Sequence, residues 1–277
     1  MKIIPAVGTE AVSRYPTAEL RRTFLLETLF VPDRIDLNYW ETDRTIVGSA
    51  VPVSGPLKLE ASRKELAADS FLERREIGIL NIGGSGSIEV DGTLFELGKL
   101  DCLYIGRGAK SVLFRSTQGT DPARYYLLSY PAHTTHPTVL MRQQEAVAVQ
   151  LGAPETANER TIYKYIHADG IKSCQLVMGI TCMKTGSIWN TMPSHTHLRR
   201  SEAYLYFDMD PAHRVIHLMG EPSETRHLVV ASGQAILSPV WSIHSGAGTA
   251  SYSFCWGMGG ENQDFNDMDG FPIADLR

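Results

Sequence analysis

The sequence of this 277-residue chain predicts an all-β protein with a few short helices. Short segments rich in β-branched and aromatic residues recur along almost the whole chain, and such residues favour strands. The chain also has 24 glycines and 14 prolines, many of which separate these segments. Many short strands with turn residues between them are typical of β-sandwiches and β-barrels. The length is sufficient for one large domain of this kind or for two smaller ones.

One helix is predicted before the strands begin. In the segment PTAELRRTFLLETLF, residues 16–30, Thr17 is suited to cap the helix and Glu19 to lie near its positive end. Leu20 and Phe24 are four residues apart and share one apolar face. We expect the helix to end before Pro32, because a residue that precedes proline disfavours the helical conformation.

The strands follow in order, and the clearest of them form a hairpin. In SIEVDGTLFEL, residues 87–97, the pair Asp91-Gly92 can adopt the positive φ angles of a tight primed turn. The other segments predicted as strands are IDLNYW, RTIVGSAV, RYYLLSYP, QLVMGITCM, EAYLYFDM, RVIHLMG, RHLVVAS and SYSFCWGM.

The chain divides into two halves of similar pattern. The polar stretch 142–160, RQQEAVAVQLGAPETANER, is interpreted as the link between a domain of residues 1–145 and a domain of residues 146–277. If Glu76 is aligned with Glu202, an apolar strand follows each glutamate, and a second alignment, of Gly98 with Gly233, places Ala109 opposite His244. This pattern favours a duplicated β unit.

Composition and charge exclude several classes of protein. The net charge of −5 and the lack of a long basic run disfavour a nucleic-acid partner. No apolar stretch is long enough to cross a bilayer, and the first residues lack the apolar core of a secretion signal. The four cysteines are scattered, which is typical of reduced thiols in a cytoplasmic protein. The acidic residues Asp264, Asp267 and Asp269 are expected to form a solvated or interface tail.

The stretch SHTHLRRSE contains the candidate metal ligands His195, His197 and Glu202. Side chains two residues apart on a strand share a face, so both imidazoles can contact one ion. Glu202 lies five residues after His197, and the chain must bend near Leu198–Arg200 for it to join them. His244, in SPVWSIHSG, is the candidate fourth ligand. Three imidazoles and one carboxylate suit Zn, Fe, Mn, Ni or Co, and the lack of a thiolate favours a site with an open position.

Both stretches resemble the motifs of the cupin family. HTHLRRSE fits the first motif, and the run from Gly233 through Pro239 to His244 fits the second, except that Trp241 stands where the motif has glycine. The resemblance implies a double-stranded β-helix, or jelly-roll, barrel. With the duplication it implies a bicupin of two such barrels. The implied ligands are His195, His197, Glu202 and His244, and the first barrel would be degenerate, without metal.

A longer resemblance covers nearly the whole chain. The segments FLERREIGILNIGGSGSIEVDG, WNTMPSHTHLRRSEAYLYF, SPVWSIHSG and FCWGMGGENQDFNDMD are similar to the family of 5-keto-4-deoxyuronate isomerases. This resemblance implies a ketol-isomerase that interconverts 4-deoxy-L-threo-5-hexosulose uronate and 3-deoxy-D-glycero-2,5-hexodiulosonate in pectin and uronate breakdown. It also implies one Zn²⁺ per subunit, a homo-hexamer and a cytoplasmic location.

Such a reaction moves a carbonyl from C1 to C2, by proton transfer or by hydride shift, and the sequence leaves both routes open. Catalytic candidates are Glu202 or Lys164 as the base, together with Arg226. Arginines can bind the substrate carboxylate bidentately, and aromatic side chains can line the pocket. The candidate substrate-binding residues are Arg160, Arg200, Trp241 and Tyr204.

Three alternative functions remain open at this stage. A 5-deoxy-glucuronate isomerase of inositol catabolism is also bicupin-like. An Fe(II) cupin dioxygenase can use the same three histidines and one glutamate. A cupin that binds a sugar without converting it is the non-enzymatic alternative. Oxygen consumption would identify the dioxygenase, and ligand binding without turnover would identify the binding protein.

Overall fold

The computed structural model describes residues 1–264 and 266–277. Within these residues the strands are, in chain order, β1 (Lys2–Ile4), β2 (Leu25–Leu26), β3 (Arg34–Trp40), β4 (Thr45–Val51), β5 (Leu57–Lys58), β6 (Arg75–Asn81), β7 (Gly86–Val90), β8 (Thr93–Leu97), β9 (Cys102–Ile105), β10 (Val112–Ser116), β11 (Tyr125–Pro131), β12 (Val139–Met141), β13 (Val147–Leu151), β14 (Arg160–Ile166), β15 (Val177–Met183), β16 (Trp189–Asn190), β17 (His195–Thr196), β18 (Arg200–Phe207), β19 (Val215–Glu221), β20 (Glu224–Val230), β21 (Gln234–Ser238), β22 (Ser245–Gly248), β23 (Ser253–Gly260) and β24 (Asp269–Gly270). The all-β prediction is confirmed.

The helices of the described residues are short. They are α1 (Thr9–Val12), α2 (Thr17–Phe24) and α3 (Arg63–Leu66), with 3₁₀ turns at Thr42–Arg44, Gln143–Glu145, Pro154–Thr156 and Ile273–Asp275. The predicted helix is present as α2 and buries Leu20 and Phe24. Thr17 is its first helical residue and Pro16 its N-cap, so the predicted cap is wrong by one position. The helix ends well before Pro32, because Leu25 and Leu26 pair instead with β21.

The chain divides into two compact units. The first contains Met1–Ile4, Thr28–Ala146 and Tyr165–Val177. The second contains Pro5–Glu27, Val147–Lys164 and Met178–Arg277. One boundary therefore lies next to the predicted division between residues 145 and 146. The units differ from the predicted domains in that each includes a segment from the other half of the chain.

Each unit has the same arrangement of strands. In the part of the chain described here, the first unit has a seven-stranded sheet of order β1-β3-β4-β11-β6-β9-β12 and a four-stranded sheet of order β5-β10-β7-β8. The second unit has a seven-stranded sheet of order β13-β14-β15-β23-β18-β21-β2 and a four-stranded sheet of order β16-β22-β19-β20. Strands β6 and β18 occupy the same place in their sheets, which supports the duplication inferred from the sequence.

The alignment within the duplicated unit needs one correction. If Glu76 corresponds to Glu202, then Leu80 corresponds to Tyr206, since each lies four residues further along its strand. Leu80 pairs with Cys102, and Tyr206 pairs with Gln234. The residue before Cys102 is Asp101, so Asp101, and not Gly98, is the counterpart of Gly233. The loop after β8 therefore differs in length from the corresponding loop after β20.

Two local sequence predictions are tested directly by the backbone. The turn between β7 and β8 has φ 47 at Asp91 and φ 87 at Gly92, as expected for a primed hairpin turn. The stretch 142–160, interpreted as a link, contains the additional strand β13, which pairs with β14. Its apolar residues Val147 and Leu151 are exposed, so the strand lacks the burial pattern by which strands are usually recognised.

The first unit contains a fully buried carboxylate at the position matched to Glu202. Glu76 accepts backbone N–H groups of Cys174, Gln175 and Leu176 at 2.7, 2.9 and 2.9 Å. It also accepts the hydroxyl of Tyr104 at 2.8 Å. Burial raises the pKa of Tyr104, which keeps that hydroxyl protonated as a donor. Glu76 thus ties the segment before β15 to strand β6 by three hydrogen bonds, and a fourth joins it to Tyr104 of β9.

Strand β18 places the carboxylate of Glu202 in the interior of the second unit. All eight of its residues are buried, because sheet neighbours pair on both edges and side chains cover both faces. Glu202 and Tyr204 are two residues apart on this strand and therefore share a face. They pair across the sheet with Met258 and Trp256 of β23. A carboxylate is in this way held among apolar side chains, where electrostatic interactions are strong.

Candidate metal centre

The two histidines of the first motif lie on a short arm that precedes β18. His195 belongs to β17, which pairs with β24 in the register His195 to Gly270. After His197 the chain turns, and the Arg200 N–H donates to the His197 carbonyl at 3.1 Å. This turn is the predicted bend. It allows Glu202, although an odd number of residues away, to face the same point as the imidazoles.

His244 comes from a different part of the unit, just after β21. The Ser242 N–H donates to the Pro239 carbonyl at 2.9 Å and closes the predicted turn before it. Trp241 does not adopt a positive φ angle. A side chain is therefore tolerated where the cupin motif has glycine, and the turn still delivers His244 to the buried interior, where it is 1% exposed.

The four predicted ligands meet at one point. The Nε2 atoms of His195 and His197 are 3.2 Å apart, and those of His195 and His244 are 3.0 Å apart. Oε2 of Glu202 lies 3.1 Å from Nε2 of His197 and 3.1 Å from Nε2 of His244. All four ligand atoms lie within 4.8 Å of one another. Zinc–ligand bonds of about 2.0–2.1 Å in tetrahedral geometry imply ligand atoms about 3.3 Å apart.

The donor atoms fit a cation. Burial lowers the pKa of His195 to about 3 and lowers the pKa of His244 well below its usual value. Both imidazoles are therefore neutral near pH 7, the form that binds metal. Oε2 of Glu202 is buried and has no conventional hydrogen-bond partner within residues 1–264 and 266–277. Lone pairs of nitrogen and oxygen this close together repel unless a positive charge lies between them.

The outward ring nitrogens are also held. Nδ1 of His197 donates to the backbone carbonyl of Asp267 at 2.7 Å. Nδ1 of His244 lies 3.3 Å from the hydroxyl of Ser238, whose oxygen can accept a hydrogen bond from Nδ1–H. Hydrogen bonding at Nδ1 selects the tautomer in which the Nε2 lone pair faces the cluster. The rings are therefore oriented for metal binding by the protein itself.

A cavity of about 260 Å³ opens beside this cluster in the second unit. Its walls are mostly apolar and aromatic, which is typical of a small-molecule site. Within the described lining, Arg160 is the one arginine or lysine. The lining residues are Leu151, Arg160, Ile162, Thr181, Thr191, Met192, Pro193, His195, His197, Glu202, Tyr204, Phe254, Trp256, Met258 and Met268.

Two predicted substrate-binding residues line this cavity. Arg160 donates through Nη1 to the Asn158 carbonyl at 2.9 Å, and partial burial lowers the pKa of its guanidinium. The Tyr204 hydroxyl lies 3.5 Å from the Thr191 hydroxyl, and its ring stacks on Phe254 with centroids 5.2 Å apart. A fixed cation and a phenol therefore face the same space as the ligand cluster.

Four other predicted site residues do not line it. Arg226 donates to the carbonyls of residues 12, 13 and 15, and it borders a separate small cleft together with Trp241. Trp241 donates to the Val7 carbonyl at 3.2 Å. Lys164 shares a strand face with Arg160 but lies beyond the lining. Arg200 is buried behind His197 and donates to the Asp267 carbonyl at 2.9 Å.

Several lining residues, such as Phe254 and Met258, were not predicted, although the sequence carries a signal for some of them, and Trp256 lines the cavity as one of the aromatic side chains expected there. Phe254, Trp256 and Met258 alternate along β23, and alternate residues of a strand share a face. Their antiparallel pairing with β18 brings this face beside Glu202 and Tyr204. Thr181 accepts the indole N–H of Trp256 at 3.1 Å. The expectation of a solvated acidic tail is wrong for Asp267, whose carboxylate pairs with Arg199.

Comparison with known proteins identifies the family. The sequence profile of the KduI/IolB family matches residues 33–270. The chain belongs to the KduI/IolB family. Among family relatives, the chain is 53% identical over 277 residues, all of both chains, to a protein of Lachnoclostridium phytofermentans named 4-deoxy-L-threo-5-hexosulose-uronate ketol-isomerase. A protein of Halalkalibacterium halodurans with the same name is 52% identical over 272 residues, with 98% of each chain covered.

Solved structures support the fold of this KduI/IolB chain. An IolB-like protein of Salmonella typhimurium has a TM-score of 0.73 at 14% identity, over 90% of this chain and 96% of that chain. An oxalate decarboxylase of Lactobacillus farciminis has a TM-score of 0.58 at 9% identity, over 91% and 89%. Both are cupin jelly-roll proteins, so the bicupin prediction is confirmed. None of the described helices is both long and apolar enough to cross a membrane.

Proposed function

We propose that this protein is a metal-dependent ketol-isomerase that interconverts 4-deoxy-L-threo-5-hexosulose uronate and 3-deoxy-D-glycero-2,5-hexodiulosonate. The observation that carries the proposal is the convergence of His195, His197, Glu202 and His244 beside a cavity that also contains Arg160. Relatives about half identical over the full chain are named for this reaction. Geometry and relationship therefore support the same activity.

The proposed metal is Zn²⁺, one per subunit. Three imidazoles and a carboxylate without thiolate are typical of catalytic zinc, although manganese and iron accept the same donors. When bound, the ion supplies Lewis-acid polarisation of the substrate carbonyl and hydroxyl oxygens. His195, His197, Glu202 and His244 would hold it beside a largely apolar cavity, where water would compete less with the substrate for the ion.

The chain's own residues then orient the sugar acid and move a proton. By the proton-transfer route, the isomerisation moves one proton from C2 to C1 and a second from the C2 hydroxyl to the C1 oxygen, so that the aldehyde becomes a hydroxymethyl group and the C2 hydroxyl becomes a ketone. Glu202 is the carboxylate within the described lining of the cavity and remains the candidate base. Tyr204 and Thr191 offer hydroxyl groups to the substrate oxygens.

Arg160 is proposed to bind the carboxylate at the far end of the substrate. A guanidinium in a partly dry cavity forms charge-assisted hydrogen bonds, each worth about 1.5–3 kcal/mol. We expect Arg160→Gln to raise KM about 10- to 100-fold, with a smaller change in kcat. Steady-state kinetics with the uronate substrate measure this effect. Arg214→Gln, which removes an exposed arginine of the same unit outside the cavity, serves as control. An unchanged KM in Arg160→Gln would exclude the clamp.

The decisive test of the function is turnover before and after metal removal. Purified protein is assayed for conversion of the hexosulose uronate to the hexodiulosonate, and its metal content is measured on the same sample. We expect conversion that is lost on chelation and restored by Zn²⁺. Fully metal-loaded protein that leaves this substrate unchanged would overturn the assignment.

The same assay separates the alternatives. Conversion of 5-deoxy-glucuronate in its place would assign the alternative isomerase activity. Oxygen consumption by the iron-loaded protein would indicate a dioxygenase, and binding without turnover would indicate a sugar-binding cupin. A role in pectin degradation, a hexameric assembly and a cytoplasmic location remain predictions from the resemblance.

A further inference from the structure

The arm that carries His195 and His197 is fastened by residues near the end of the chain. His195 pairs with Gly270 and Thr196 with Asp269 in the two-stranded sheet of β17 and β24. The Phe271 N–H donates to the Ser194 carbonyl at 2.9 Å. The arm is therefore one strand of a small sheet whose other strand is β24.

One backbone carbonyl in this region contacts a metal ligand directly. The Asp267 carbonyl accepts Nδ1–H of His197 at 2.7 Å. The same oxygen accepts Nη2–H of Arg200 at 2.9 Å. Arg200 is 1% exposed, so its guanidinium cannot move out to solvent without opening the fold. His197 and Arg200 thus share one acceptor, and the position of that acceptor sets the angle of the His197 ring.

The side chain of Asp267 holds this carbonyl in place from the other side. Its carboxylate accepts Nε–H of Arg199 at 2.7 and 2.9 Å, and a second contact comes from Nη2 of Arg199. Oδ2 also accepts Nδ2–H of Asn262 at 2.6 Å. The Asp267 side chain is only 10% exposed, although Arg199 is 41% exposed. Such a multiply bonded, partly buried pair is far more rigid than an ordinary surface ion pair.

We propose that Asp267 is a positioning residue for the metal, acting through His197. Its carboxylate, clamped by Arg199 and Asn262, fixes the backbone so that its carbonyl holds the His197 ring with Nε2 towards the ion. Asp267 does not line the cavity, so it does not contact substrate. This inference rests on the metal site of the proposed function and extends it to three residues outside the ligand set.

The expected consequence concerns the affinity for metal and not the chemistry. Removing a hydrogen bond that orients a metal-binding histidine lowers metal affinity about 10- to 100-fold. Asp267→Ala keeps this carbonyl but removes the carboxylate that fixes it, so we expect the variant to bind Zn²⁺ about 10-fold more weakly, at the lower end of this range, and to release it faster to a chelator. At saturating zinc its KM should match that of the wild type and its kcat should approach it. A residue that bound substrate would instead raise KM whatever the zinc concentration.

The experiment measures zinc affinity by competition between the purified protein and a chromogenic chelator, with zinc as the probe and no substrate present. The melting temperature of each metal-free variant is also measured, to show that the variant is folded. Glu261→Ala is the matched control, because Glu261 is an exposed acidic residue of the same stretch. Asp267→Asn keeps one acceptor for Arg199 and should show a smaller loss than Asp267→Ala. If Asp267→Ala does not fold, Asp267→Asn and Arg199→Gln carry the test.

A double variant tests whether Arg199 and Asp267 act together. If both work through one contact, combining Arg199→Gln with Asp267→Asn should cost little more affinity than the larger single change. Wild-type zinc affinity and release rate in all Asp267 variants would overturn the inference while leaving the metal site intact. A wild-type protein that binds no zinc would overturn the metal assignment itself, which is a distinguishable result.

Discussion

Replacing His244 by alanine is expected to lower kcat/KM about a thousand-fold and to leave the purified protein with little bound zinc. His244 supplies one of four donor atoms, and its Nε2 lies 3.0 Å from that of His195 and 3.1 Å from Oε2 of Glu202. A catalytic metal stabilises developing charge by several kcal/mol, and about 4 kcal/mol corresponds to a thousand-fold change in rate. Zinc content and isomerase turnover, measured on the same preparation, check this prediction.

The control for this change is His227→Ala. His227 is an exposed histidine of the same unit, on β20, and its loss should leave zinc content and turnover unchanged. His244→Ala should remain folded, because the lost imidazole contributes to a polar site and not to the apolar core. A His244→Ala protein with normal zinc content and normal turnover would show that the cluster is not the catalytic centre.

Replacing Glu76 by alanine is expected to lower the free energy of unfolding by about 3–5 kcal/mol. The change leaves the N–H groups of Cys174, Gln175 and Leu176 and the hydroxyl of Tyr104 without their buried acceptor. Each buried donor left unpaired costs about 1–3 kcal/mol, and the costs do not add fully. Urea unfolding followed by circular dichroism measures the shift of the midpoint.

Glu96→Ala provides the comparison, because Glu96 is an exposed glutamate of the same unit and surface changes usually stay within about 0.5 kcal/mol. Glu76→Gln should fall between the two, since its amide keeps one acceptor oxygen but places an NH₂ group against N–H donors. An unchanged midpoint in Glu76→Ala would mean that this carboxylate is not what holds the segment before β15.

Glu76 and Glu202 also illustrate how far a sequence comparison reaches. Both lie on the fifth strand of a duplicated seven-stranded sheet, and the sequence aligned them correctly by the apolar run that follows each. The same reasoning could not say what the buried carboxylate does. Glu202 meets three imidazoles, whereas Glu76 meets three backbone N–H groups that come from residues about 100 positions away. Contacts of that sequence separation depend on topology.

The misses among the strands have a common physical cause. Strands are recognised in a sequence by the residues that they bury. Strands such as β4 and β11 lie inside a sheet with both faces covered, so they appear as nearly continuous runs of buried residues. Strand β13 lies at a sheet edge, and its first and last residues, Val147 and Leu151, are exposed apolar residues. Its sequence therefore resembles a linker. Helix α2 ends earlier than the predicted segment because the conformation of Leu25 and Leu26 is determined by pairing with β21 and not by local helix propensity.

The amino-acid sequence by itself determined the all-β class, the duplicated pattern and the four candidate ligands, because alternation, turn residues and spacing are local properties. Tertiary structure alone decided which other side chains accompany those ligands. Arg160 and Tyr204 reach the cavity, whereas Arg226 and Trp241 border another cleft and Arg200 lies behind His197. Asp267 contacts His197 through its backbone carbonyl, and because every residue has such a carbonyl, the residue type does not indicate this contact. These placements follow from sheet pairing between distant segments, and a linear pattern does not encode that pairing directly.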